Sequence, residues 1–159
     1  MRKFVHAIST LIVIAVLWSC NDIDKESEKK AIISVIERET QAYYDRDIEE
    51  RAKTLLQDES LIVLVANNDK YGYAVGYNQV YENSKIAFGR NPEQITDKFE
   101  NKDYKIEVYK SSARVVYDEY VYDSKGDFKK KVINVRFLEK VDDTWRIAYL
   151  GDVTTSSYD

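Results

Sequence analysis

Val132-Ile133-Asn134-Val135-Arg136-Phe137-Leu138-Glu139-Lys140-Val141-Asp142-Asp143-Thr144-Trp145-Arg146-Ile147-Ala148-Tyr149 decides the fold. Alternation of apolar and polar residues on either side of the turn-forming Val141-Asp142-Asp143-Thr144 predicts two long antiparallel strands, Val132 to Leu138 and Trp145 to Val153. Upstream, Ser124-Lys125-Gly126-Asp127 is a second turn, preceded by a strand from Ala113 to Tyr122 and by alternating Tyr104, Ile106 and Val108. The C-terminal half therefore reads as an antiparallel meander.

The first half reads differently. From Ser27 to Arg46, Ile32, Val35, Ile36, Ala42 and Tyr43 recur at helical spacing, with acids near the start where they favour the helix dipole. Asp47 and Glu50 have capping-box spacing for a second, shorter helix with Ile48, Ala52 and Leu55 on one face. Leu61-Ile62-Val63-Leu64-Val65 predicts a strand covered on both faces, turned at Asn67-Asn68-Asp69 into Tyr73-Ala74-Val75. Helical spacing returns through Tyr77, Val80, Tyr81, Ser84 and Phe88, with Gly89 placed to end it. Helices first and a meander afterwards imply an α+β fold with the helices packed on one sheet face.

The N-terminus lies outside this fold. Met1-Arg2-Lys3 precedes a run from Phe4 to Trp18 that is apolar apart from scattered polar residues, ending in Leu17-Trp18-Ser19-Cys20. Crossing a bilayer takes about 20 apolar residues, so this shorter stretch fits an export signal over residues 1–19 better than a permanent span. Its end resembles the bacterial lipoprotein processing box, with Trp18 departing from the small residue usual there. That resemblance implies cleavage before Cys20, diacylglycerol on its sulfur, and anchoring in the cell envelope, at the outer membrane on its periplasmic or outer surface. Residues 20–26 are then a lipidated tether and 27–159 the folded domain. Acidic residues from Asp22 to Glu28 read as a solvated tether, or alternatively resemble the surface-export signals of Bacteroidota lipoproteins. A single cysteine precludes an intramolecular disulfide, so the domain must fold on its core alone. Without Arg2 and Lys3 the 24 basic side chains fall to 22 against 28 acidic, a formal charge of −6 that offers no net attraction to nucleic acid.

Several stretches together look like the nuclear transport factor 2-like superfamily, closest to its SnoaL-like and DUF4440-type branches. They are Gln41-Ala42-Tyr43-Tyr44-Asp45-Arg46-Asp47-Ile48, the strand Ser60 to Val65, Val75-Gly76-Tyr77, and the ending Phe137 to Ile147. The resemblance implies a cystatin-like cone: about three N-terminal helices against a strongly curved mixed, mainly antiparallel sheet, with a pocket on the concave side and often a homodimer. The steroid-isomerase members of that superfamily need a tyrosine, a general base and a protonated acid, whose positions fall on Glu39, near Leu64 and near Asn134. None matches, which argues against that mechanism.

The chemistry left to the exported domain is narrow. His6 leaves with the signal and Cys20 is consumed by lipid, so no histidine or free thiol remains for proton transfer, nucleophilic attack or zinc ligation. No glycine-rich phosphate loop is present, and no metal or cofactor is expected. Tyrosine, with 13 copies, is abundant. Strand parity predicts Ala113, Val115, Tyr117, Glu119 and Val121 inward, together with Ile133, Val135 and Phe137 and with Trp145, Ile147 and Tyr149. The opposite register, with Arg114, Asp118, Asn134, Arg136, Arg146 and Asp152, reads as a solvated outer face of cross-strand charge pairs or as a dimer interface. Lys129-Lys130-Lys131 reads as a guarded edge. Tyr43, Tyr73, Tyr117, Glu119, Trp145 and Tyr149 are the candidate pocket, with core packing the alternative for the aromatics. Glu119, the one carboxylate in an apolar row, is the candidate acid, or else a rim residue turned to water. These residues imply binding of a small apolar or aromatic ligand, or of a protein partner. The alternative is a SnoaL-like cyclase, isomerase or hydrolase using a buried carboxylate and tyrosines.

Overall fold

A computed structural model describes residues 24–67 and 70–155. The segment expected to be an export signal, Cys20 and most of the expected tether lie outside the described residues, as do Asn68 and Asp69 of the first turn. Helix α1 spans Lys25–Asp45, α2 Ile48–Thr54 and α3 Tyr77–Arg90. The strands are β1 Ile62–Asn67, β2 Lys70–Val75, β3 Lys98–Val108, β4 Ser112–Tyr122, β5 Phe128–Val141 and β6 Thr144–Thr155.

Local chemistry fixes these boundaries. Asp24 caps α1 by accepting from the Ser27 amide at 3.2 Å, so the helix starts inside the segment assigned to the tether. Arg46 ends it in the left-handed region, φ 59°, and Asp47 caps α2 by accepting from the Glu50 amide. The expected capping box is half formed, because the Glu50 carboxylate turns to Arg38 and Lys53 instead. Gly89 stays within α3, which ends at Asn91. Asp142 and Asp143, at φ 47° and 58°, make the two-residue β5–β6 turn, where aspartate tolerates a conformation that branched residues do not.

The six strands lie in the order β2-β1-β6-β5-β4-β3, with β1 parallel to β6 and all other neighbours antiparallel. The helices pack on one face, where Ile32 and Ile36 of α1 join Leu55, Leu61, Val115, Tyr117, Leu138, Trp145 and Ile147 in the core. The cone implied by the resemblance is the fold that forms.

Two registers depart from expectation. Ala113, Val115 and Tyr117 do point inward, but their cross-strand partners are Leu138, Arg136 and Asn134. Directly opposed residues share a face, so β5 buries Val132, Asn134, Arg136 and Leu138, while Phe137 is exposed. Apolar parity fails here because the inward polar groups satisfy one another, as described below. On β6, Phe137 pairs with Tyr149 and Leu138 with Ile147, so Ala148 is an extra residue that reverses the parity. Trp145 and Ile147 face inward before this bulge, and Leu150 and Asp152 after it. Tyr149 lies on the outer face against Phe137, ring centroids 5.4 Å apart.

That outer face is not the charged surface expected. Arg114 pairs there with Glu107 and Asp118 with Lys131, but Asn134, Arg136 and Asp152 are on the inner side. Ile62, Tyr71, Tyr73, Val75, Phe137 and Val153 are exposed instead, so β1 is not covered on both faces. Gly151 permits the packing of Tyr149, because a Cβ there would stand 2.8 Å from the tyrosine ring.

Candidate functional site

Between the ends of α1 and α2 and the concave sheet lies a cavity of about 230 Å³, lined by residues including Glu39, Tyr43, Tyr44, Arg51, Glu119, Lys130, Arg136 and Asp152. Helical spacing from Ile32 through Ile36 carries Glu39, Thr40 and Tyr43 onto this face of α1, and Arg51 shares the buried face of α2 with Ala52. Strand parity and the Ala148 bulge deliver the rest from β4, β5 and β6.

A connected set of ion pairs forms the floor. Arg51 donates through Nε to Glu39 at 2.8 Å and through Nη1 to the Ser84 hydroxyl at 2.7 Å. Arg136 donates to Asp152 at 2.7 Å, to the Asn134 side-chain oxygen at 3.0 Å and to the Gly151 carbonyl at 3.2 Å. Its second terminal nitrogen stands 3.8 Å from Glu39 and its guanidinium 5.5 Å from the Tyr117 ring centroid. Buried charges are tolerated only when paired and hydrogen-bonded, and each carboxylate here has an arginine.

In the same lining, the Tyr44 hydroxyl donates to Glu119 at 2.7 Å. Burial pushes the Glu119 carboxyl above its ordinary value, opposed by the tyrosine hydrogen bond and reinforced by Asp152 and Glu39. Burial first and the Glu119 charge second push the Tyr44 hydroxyl up as well, so it remains a donor at neutral pH. The arrangement can hold a ligand by hydrogen bonds, and Glu119 is the group whose protonation can change.

Among the residues predicted for the site, Tyr43 and Glu119 line this cavity. Tyr117 lies beneath it in the core, its hydroxyl buried without a hydrogen-bond partner among the described residues. Trp145 is remote: its indole N–H donates to Glu28 at 2.6 Å, and Lys140 donates to the same carboxylate, at the hairpin end of the cone. Tyr149 is on the opposite sheet face. Tyr73 is largely exposed and lines a neighbouring apolar cavity of about 270 Å³ formed with Val63, Ala74, Val80, Ala87 and Phe88. Sequence reasoning missed Glu39, Tyr44, Arg51, Arg136 and Asp152. Glu39 left a usable signal, a carboxylate inside a helical apolar stripe. Of the positions tested against the isomerase pattern, Glu39 is in the cone, Asn134 is in its floor, and Leu64 pairs with Tyr73 on the outer face. A wider groove of about 570 Å³, between Gln57–Glu59 and Val75–Gln79, contains no buried ionisable group.

No family model matches the chain, and no curated protein matches it in sequence. Solved structures do match in shape. A nuclear transport factor 2-like superfamily protein from Salmonella enterica is 16% identical with a TM-score of 0.66, covering 85% of this chain and 96% of its own. A cystatin-like protein of unknown function from Nostoc punctiforme is 12% identical with a TM-score of 0.66, covering 81% and 92%. A nuclear transport factor 2-like protein of unknown function from Pseudomonas putida is 13% identical with a TM-score of 0.65, covering 87% and 93%. Identities this low speak for architecture alone, and on that ground the chain has the nuclear transport factor 2-like, cystatin-like fold.

Proposed function

We propose that this chain is an exported envelope protein, cleaved before Cys20 and anchored there by lipid, whose cone binds a small ligand without transforming it. Within the fold we place it beside the SnoaL-like and DUF4440-type branches, on the helix end Gln41 to Ile48 and the hairpin Phe137 to Ile147. The observation that carries the binding reading is the mutual engagement of Arg51 with Glu39 and Arg136 with Asp152. Groups locked in this way shape and polarise a pocket but are not free to move protons. The charged floor also revises the expected ligand: it needs at least one hydrogen-bonding group besides an apolar or aromatic body.

Thr154 lines the cavity, so Thr154→Trp should fill its opening. Ligand-detected NMR of a library of small aromatic and aliphatic acids, alcohols and amides should find binders that Thr154→Trp releases. A library in which every binder survives that change, or none binds, would count against the cone as a binding site. For the anchor, metabolic labelling with a fatty-acid analogue should mark the chain and be lost in Cys20→Ala. Labelling that persists excludes Cys20 as the lipid site.

A second reading, an enzyme of the SnoaL-like type, is favoured by one observation: the half-buried Glu119 carboxyl held by Tyr44 is placed to exchange a proton with a bound molecule. It requires turnover of a cone ligand that Glu119→Gln abolishes. The homodimer stays with the proposal, on the exposed apolar outer face.

A further inference from the structure

The cone cavity and the apolar cavity beside it share three lining residues, Tyr43, Arg51 and Val65. Two of these are unusual for their type: the Tyr43 ring and the Val65 side chain are about two-fifths exposed, although both sit on the helix-covered side of the sheet. Both help to form the common wall of the two chambers. One chamber is polar. The other, under α3, is walled by Val63, Gly72, Ala74, Val80, Ala87 and Phe88.

Charge distinguishes what the polar chamber can accept. Glu39 and Asp152 are each held by an arginine, and Glu119 accepts from Tyr44, so no carboxylate there lacks a donor. Cationic capacity remains. Arg51 uses Nε and Nη1, leaving Nη2 without a hydrogen bond among the described residues yet not sealed from open space. In the run Lys129-Lys130-Lys131, Lys129 pairs with Asp97 and Lys131 with Asp118, whereas Lys130 lines the cone cavity and forms no ion pair among the described residues. One ammonium and one spare guanidinium N–H suit a singly charged oxyanion. A dianion would meet the nearby carboxylates with too little compensation, and an ammonium ligand would find every carboxylate engaged.

Accepting the cone as a binding site, we infer that its ligand is an amphipathic carboxylate whose apolar or aromatic body fills the chamber under α3. Its carboxylate passes the Tyr43–Arg51–Val65 wall to reach Arg51 and Lys130.

Equilibrium dialysis of 3-(2-naphthyl)propionate and its neutral isostere 3-(2-naphthyl)propionamide tests this, using the full chain in lipid nanodiscs with empty nanodiscs as the blank. The acid should bind about tenfold more tightly than the amide. Lys130→Gln should weaken the acid more than the amide and so remove that preference. Ala87 and Asn83 are exposed residues on the chamber wall, so Ala87→Phe or Asn83→Phe should fill it without disturbing the fold, and each should weaken both probes about tenfold. Equal binding of acid and amide, or binding that ignores both Phe variants but is lost in Thr154→Trp, overturns the two-chamber inference and leaves the cone reading standing. Failure of both probes in a chain that binds other library members has the same meaning. A chain that binds nothing overturns the cone reading itself.

Discussion

Arg136 is the residue on which the inside of the cone depends. Its side chain is 3% exposed and links Asp152, Asn134 and the Gly151 carbonyl, with Glu39 close behind. Removing one partner of a buried pair strands the other, so Arg136→Met should cost about 3 kcal/mol in urea unfolding. Asp152→Leu in the same chain should recover most of that loss, because no unpaired charge then remains. Glu119 gives a pH test. Its carboxyl is raised in the folded state, so over the interval between the unfolded value of 4.5 and the higher folded value the native state binds more protons than the unfolded state. Stability from this group is present below the unfolded value and is lost as pH rises through the folded one. Wild-type protein should therefore lose thermal stability relative to Glu119→Gln as pH rises from 4.5 through the raised folded value, and a difference that does not change would show that Glu119 is solvated. Of these residues only Glu119 was legible in the sequence, as a carboxylate in an apolar row. Arg136 and Asp152 looked like surface charges, because a polar residue reads as outward unless its buried partners, here contributed by other strands and by α1, are known.

At the scale of elements the reading went much further. Three helices, the β1–β2 hairpin and the four-strand meander were all set by local periodicity and turn residues. What escaped was register, and it escaped at identifiable places: the Ala148 bulge in β6 and the polar inward face of β5, neither of which leaves a mark in alternation. Contact between elements can be tested at Glu28, which ties the first turn of α1 to Lys140 and Trp145 through two hydrogen bonds of 2.6 Å. Hydrogen bonds from Lys140 and Trp145, opposed by partial burial, hold the Glu28 carboxyl below its ordinary value. Its stabilisation is thus present at neutral pH and lost as pH falls through that lowered value. Glu28→Ala should cost about 1–3 kcal/mol near pH 7 and change Trp145 fluorescence, with the cost shrinking in acid.

The whole molecule has two unlike sheet faces. One is covered by helices and holds the cone; the other presents Ile62, Tyr71, Tyr73, Val75, Phe137 and Val153 to solvent. An apolar face of this kind fits a twofold dimer in which the same patch meets itself. Sedimentation should find a dimer that Phe137→Glu converts to monomer with the fold intact; a wild-type monomer at high concentration would rule the dimer out. Helix α1 gives the molecule a direction as well. It starts at Lys25, in the turn that carries the Glu28 latch, and ends at Asp45, just past the cavity-lining Tyr43 and Tyr44, a run of 21 residues, or about 30 Å. If Cys20 carries lipid, the anchor joins the chain at the latch end of α1, while the cavity lies at the other end of the helix. Its ligand would then be exchanged with the surrounding aqueous phase, and a molecule dissolved in the membrane would have to leave the lipid before the cone could take it up.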